Sequence, residues 1–62
     1  MSANNYLEIK RDGKEYVISE LDADTNNGSE RKRTKSLKSA IEWAEQYQRK
    51  NLVEYGIHFN VI

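Results

Sequence analysis

Between residues 36 and 50, apolar side chains recur at Leu37, Ala40, Ile41, Ala44 and Tyr47. That is the i, i+3, i+4, i+7 spacing of one helix face. Lys38, Glu42, Glu45, Gln46 and Arg49 occupy the opposite face, as a half-buried helix requires. Ser36 is placed to cap the first turn with its hydroxyl, and Arg49 and Lys50 put positive charge where the helix dipole favours it. Glu45 precedes Arg49 by four residues, the favourable order for a pair along the helix. The spacing predicts a helix over 36–50.

The pattern before it has period two. YLEIK and KEYVISEL flank Asp12-Gly13, the pair expected at the centre of a type I′ hairpin. That turn sets Lys10 against Glu15, Ile9 against Tyr16 and Leu7 against Ile18. One face then carries Leu7, Ile9, Tyr16 and Ile18 and turns to the core. The other carries Tyr6, Glu8, Lys10, Glu15, Val17 and Ser19 and is mostly wet. The next stretch, DADTNNGSERKRTK, reads either as a polar loop or as a second hairpin around Asn27-Gly28. The hairpin sets Thr25 against Glu30, Asp24 against Arg31 and Asp22 against Arg33, with strands over 17–24 and 29–35. Its two complementary charge pairs favour it, against the weak strand propensity of Asp, Asn and Lys. After the helix, Asn51–Gly56 forms a turn, and Tyr55, Ile57, Phe59 and Val61 alternate with Gly56, His58, Asn60 and Ile62 as a final strand. The fold class is α+β, ordered β-β-(β)-α-β: a three- or four-stranded antiparallel sheet with one helix packed on one face. The core is Leu7, Ile9, Tyr16, Ile18, Leu37, Ile41, Ala44, Tyr47, Ile57, Phe59 and Val61. Residues 1–62 form a single small domain whose polar start, residues 1–5, is expected to be disordered.

Composition narrows the function more than the fold. The chain has 62 residues, so nearly every large apolar side chain is needed for the core. There is no cysteine for a disulfide or a thiolate metal site. No apolar run approaches the roughly 18 residues of a membrane span, and no signal-peptide core follows Met1. The expectation is a cytoplasmic protein with no membrane partner. Ten basic and ten acidic residues cancel, so bulk charge calls for no polyanion. His58 is the single histidine and sits between Ile57 and Phe59; a structural role suits it better than catalysis. Asp22, Asp24 and Asn26 echo the start of a calcium loop, but the glycine and closing glutamate that complete one are missing. No phosphate-cradling glycine loop is present. The chain is expected to be no enzyme and to hold no cofactor or metal.

Two features stand apart from the core. Arg31, Lys32, Arg33, Lys35 and Lys38 fall within eight residues and end in the first turn of the helix. Cations there oppose the helix dipole, a conflict that a bound phosphate removes. Against this, Asp22, Asp24 and Glu42 are available to neutralise the cluster as a solvated edge. Trp43 lies on the flank of the apolar face beside Tyr47. There it either laps over the sheet edge to complete the core or anchors a protein partner, with Tyr6 and Val17 extending the patch from the outer sheet face.

The run GSERKRTKSLKSAIEWAEQ after three strands resembles the arm-type, AP2-like DNA-binding domains of phage and transposon tyrosine recombinases. The resemblance covers roughly residues 5 to 50 and rests on Gly28, Arg31, Lys32, Arg33, Thr34, Lys35, Ala40 and Trp43. It implies a sheet that enters the DNA major groove with basic strand residues on the backbone. DGKEYVISE is similar to a segment of a small phage anti-CRISPR protein that inhibits a CRISPR nuclease. The leading expectation is therefore a non-enzymatic DNA-binding module of mobile-element type, using Arg31, Lys32, Arg33, Lys35 and Lys38. The alternative is a small regulator or inhibitor that binds a host protein through the sheet edge and Trp43, Tyr47 and Tyr6. A homodimer joined by edge strands is a third arrangement.

Overall fold

A computed structural model describes residues 4–61 of the chain. Its elements are β1 (Asn5–Asp12), β2 (Glu15–Asp22), β3 (Gly28–Thr34), α1 (Leu37–Lys50) and β4 (Ile57–Asn60). The strands form one sheet in the order β3-β2-β1-β4. β1, β2 and β3 pair antiparallel, and α1 packs across them on one face. The α+β class stands, but β4 joins the sheet parallel to β1. The reason is direction: α1 carries the chain back along the sheet, so β4 runs the same way as β3 and hence as β1.

The first hairpin turns one residue later than Asp12-Gly13 predicts. Asp12 pairs with Glu15, which leaves Gly13 and Lys14 at the centre. Gly13 has φ +65°, the left-handed conformation glycine accepts at the first central position of a II′ turn. The partners consequently move: Ile9 faces Ile18, Lys10 faces Val17 and Arg11 faces Tyr16. A slip of two positions keeps every side chain on its own face, so Leu7, Ile9, Tyr16 and Ile18 still turn together toward the helix.

The second hairpin exists, with a longer loop than Asn27-Gly28 predicts. Asp22 organises it. Its Oδ1 accepts the N–H of Asp24 (2.8 Å) and of Thr25 (3.1 Å), and its backbone N–H donates to the Asn27 carbonyl (2.7 Å). Asn26 takes φ +60° to close the loop, a conformation asparagine tolerates. The register that follows sets Ser19 against Glu30 and Val17 against Arg33, so Asp22–Arg33, Asp24–Arg31 and Thr25–Glu30 are not partners. A bulge between Ile18 and Ser19 leaves Arg31 as the extra residue on β3. Gly28 lies so close to the Glu20 carbonyl that a Cβ there would overlap it.

Leu7, Ile9 and Ile18 are fully buried beneath Ala40 and Ala44, whose small side chains let the helix sit close to the sheet. Tyr16, Leu37, Ile41, Trp43, Tyr47, Ile57 and Val61 pack around this centre, and Val53, absent from the expected core, seals its end. Phe59 is the opposite correction: it is 55% exposed rather than buried. A helix is about 10 Å wide and strands lie about 4.8 Å apart, so one helix covers two or three strands and leaves the fourth open. Ser36 caps α1 as expected, accepting the Ser39 N–H, whereas Glu45 and Arg49 form no ion pair.

The expectation of disorder through Asn5 is also corrected. Asn5 opens β1, and its side chain donates to the Leu52 carbonyl (3.0 Å) and accepts the Glu54 N–H (3.1 Å). Asn4 accepts the Ala23 N–H (2.8 Å), while residues 1–3 of that stretch lie outside the described residues. Among the described residues no helix is long and apolar enough to cross a membrane.

Candidate functional site: two unlike sheet edges

The basic cluster does not act as one surface. Arg31, pushed out by the bulge, reaches Glu20 on the helix side of β2 (3.1 Å). Arg33 points from its position opposite Val17 to the other side, where its Nη1 meets Asp12 (3.0 Å) and Glu15 (3.1 Å). Its Nε and Nη2 also grip both oxygens of Glu30 (3.2 and 3.0 Å). Those carboxylates raise the guanidinium pKa further above its ordinary value, with Glu30 the largest influence. Arg33 in turn lowers that of Glu30. Neither Asp22, Asp24 nor Glu42 is involved. Lys32, Lys35 and Lys38 are exposed and form no ion pair among the described residues. They run from β3 to the first turn of α1, which contains no acidic residue.

The sheet face away from the helix is not basic. Around Arg33 and Lys10 it gathers Glu8, Asp12, Glu15 and Glu30, with Arg11 at the rim. Acidic side chains at these positions oppose a phosphate backbone.

Trp43 and Tyr47 stack on one flank of α1, with centroids 5.1 Å apart and planes at 23°. Both are half-buried and packed against the core, and they line a shallow groove of about 490 Å³ with Glu42, Gln46, Lys50 and Asn51. Tyr47 donates its hydroxyl proton to Glu20 Oε1 (2.7 Å). Glu20 also accepts from Asn5 and meets Arg31. Its pKa is lowered, chiefly by the Tyr47 hydrogen bond and then by Asn5 and Arg31, against the opposing effect of burial. The same carboxylate raises the pKa of Tyr47. Tyr6 belongs elsewhere. It stacks on His58 (4.5 Å, 21°) on the open face and donates to Asn26 Oδ1 (3.0 Å), so it does not extend the Trp43 patch. His58 Nε2 lies 3.2 Å from the Tyr55 carbonyl, a structural hydrogen bond.

The strongest contrast lies between the sheet's two edges. β3 carries Glu30, Arg31, Lys32 and Arg33 and a bulge, the devices that keep an edge from pairing with another strand. β4, with the sequence IHFN, carries no Asp, Glu, Lys or Arg and has no bulge in its ladder to β1. Phe59 projects from it beyond the cover of the helix, and Tyr55 and Leu52 just before it are 53% and 66% exposed. The alternation along the last strand places Phe59 in the core and assigns Leu52 no role. The available signal was more apolar strand than one fourteen-residue helix can cover. No family model matches the chain, and no curated protein or solved structure does.

Proposed function

We propose that this chain is a small, non-enzymatic protein-binding module, of the regulator or inhibitor kind, whose interface is the β4 side of the sheet. A partner strand adds to the free edge, and Phe59 anchors it on the helix side, while Tyr55 adds exposed apolar surface with Tyr6 and His58 on the other face. The observation that carries this reading is the difference between the edges: β3 is charged and bulged, whereas β4 is uncharged and presents the exposed ring of Phe59. Strand addition draws affinity from main-chain hydrogen bonds and specificity from alternate side chains. Phe59→Lys tests it, because the site is half open and a lysine there leaves the core intact while charging the edge. The variant folds and loses its partner. Retention of partner binding by a folded Phe59→Lys protein contradicts the reading.

A second reading, binding of DNA or another polyanion, is favoured by Lys32, Lys35 and Lys38, which hold no internal partner among the described residues. It uses a smaller cation set than the sequence expectation, since Arg31 and Arg33 are already engaged. Titration with duplex DNA at low salt tests it; no binding there excludes it, because phosphate contacts are strongest at low ionic strength.

A further inference from the structure

We infer that the strand received by β4 is β4 of a second copy of this chain, the two related by a two-fold axis at His58; this rests on the reading of β4 as the interaction edge. The ladder fixes which backbone groups are free. Leu7 donates its N–H to the Gly56 carbonyl (2.9 Å) and pairs with Ile57 in the parallel register. Backbone groups alternate sides along a strand, so Gly56, His58 and Asn60 bond toward β1. Ile57 and Phe59 therefore aim both N–H and C=O at the open edge. They are two residues apart and bracket His58.

A two-fold interface must be its own complement, and β4 satisfies that condition. An antiparallel pairing centred on His58 sets Ile57 of each copy against Phe59 of the other. Both are hydrogen-bonded pairs, so every outward group on Ile57 and Phe59 is used. The same pairing brings the two apolar residues of each copy together on the helix side, where Phe59 is otherwise 55% exposed. On the opposite side His58 meets its own copy, with no Asp, Glu, Lys or Arg on either strand to repel. The same operation on β3 would set Arg31, Lys32 and Arg33 near their own copies. The result is one continuous sheet running through both chains. A four-residue edge covers less than the roughly 800 Å² per partner of a standard interface, so the dimer is weak and concentration-dependent.

Sedimentation equilibrium on the full chain, from micromolar to millimolar concentration, reads the assembly directly. A monomer–dimer equilibrium is expected. His58→Asp and His58→Lys each place like charges across the axis and are expected to be monomeric, whereas an equimolar mixture of the two recovers a dimer. Phe59→Lys, at a more open position, is expected to be monomeric with an unchanged circular dichroism spectrum. A wild-type chain that stays monomeric at millimolar concentration overturns the inference, as does a dimer indifferent to all these changes. Amide exchange at Ile57 and Phe59 separates the two levels. Rapid exchange in a monomeric sample leaves the edge open to a different protein, so self-pairing alone fails. Slow exchange in a monomeric sample means the edge is already covered, and the β4 reading fails with it.

Discussion

Tyr47 on the helix donates a 2.7 Å hydrogen bond to Glu20 on the second strand, and that carboxylate also holds Asn5 and Arg31. One acidic side chain therefore joins β1, β2, β3 and α1. Tyr47→Phe removes the helix from this junction while keeping the ring stacked on Trp43. It is expected to cost about 1 kcal/mol of stability, below the roughly 1.5–3 kcal/mol usual for a hydrogen bond to a charged group, because this one is only partly buried. Urea denaturation checks this, and a double-mutant cycle with Glu20→Gln should show coupling between the two sites.

The same pair sets a pH window. The folded-state pKa of Glu20 is lowered from about 4.5, so its contribution is complete above that value and is lost as pH falls through the folded pKa. The pKa of Tyr47 is raised from about 10, so its contribution is complete below that value and is lost as pH rises through the folded pKa. The stability difference between wild type and Tyr47→Phe is expected to be flat between these limits and to shrink beyond both. Urea midpoints across the acid and alkaline ranges measure it.

Ala44 is fully buried where α1 lies against Leu7, Ile9 and Ile18. Ala44→Leu adds three carbons to a closed contact and is expected to cost about 1–3 kcal/mol through overpacking. The measurement is again an unfolding midpoint, with Lys38→Leu on the exposed face as a control expected to change little.

If the chain binds nucleic acid, three lysines do so rather than five cations. The log–log salt slope is then no steeper than about −3, at about −0.9 per phosphate contacted. Replacing Lys32, Lys35 and Lys38 with Ala removes it. Arg33→Ala should leave it in place, because that guanidinium is held by Asp12, Glu15 and Glu30. A fluorescence titration at several salt concentrations gives both slopes.

Local chemistry made the helix legible. The spacing of Leu37, Ala40, Ile41 and Ala44 and the Ser36 cap are properties of neighbouring residues, and both appear in the structure. The faces of the first hairpin were legible for a related reason: a two-position error in pairing does not change which way Ile9 or Ile18 points. Partners were less accessible. The Asp22 loop and the Arg31 bulge each displace the ladder, so Arg31 finds Glu20 and Arg33 finds three carboxylates, where simple counting gave Asp24 and Asp22. Exposure of Phe59 was hidden from the alternation of Ile57, Phe59 and Val61. It depends on how far α1 reaches across four strands, which no short stretch of sequence encodes.

We propose β4, rather than β3 or the Trp43 flank, as the surface where this chain meets a protein. A photo-activatable phenylalanine analogue placed singly at positions 59, 43 and 35, in cells producing the chain, distinguishes these surfaces. A discrete protein adduct from position 59, of dimer size or larger, is expected, with little from 43 or 35. Adducts confined to position 43, or nucleic-acid adducts from position 35 with none from 59, would contradict the proposal.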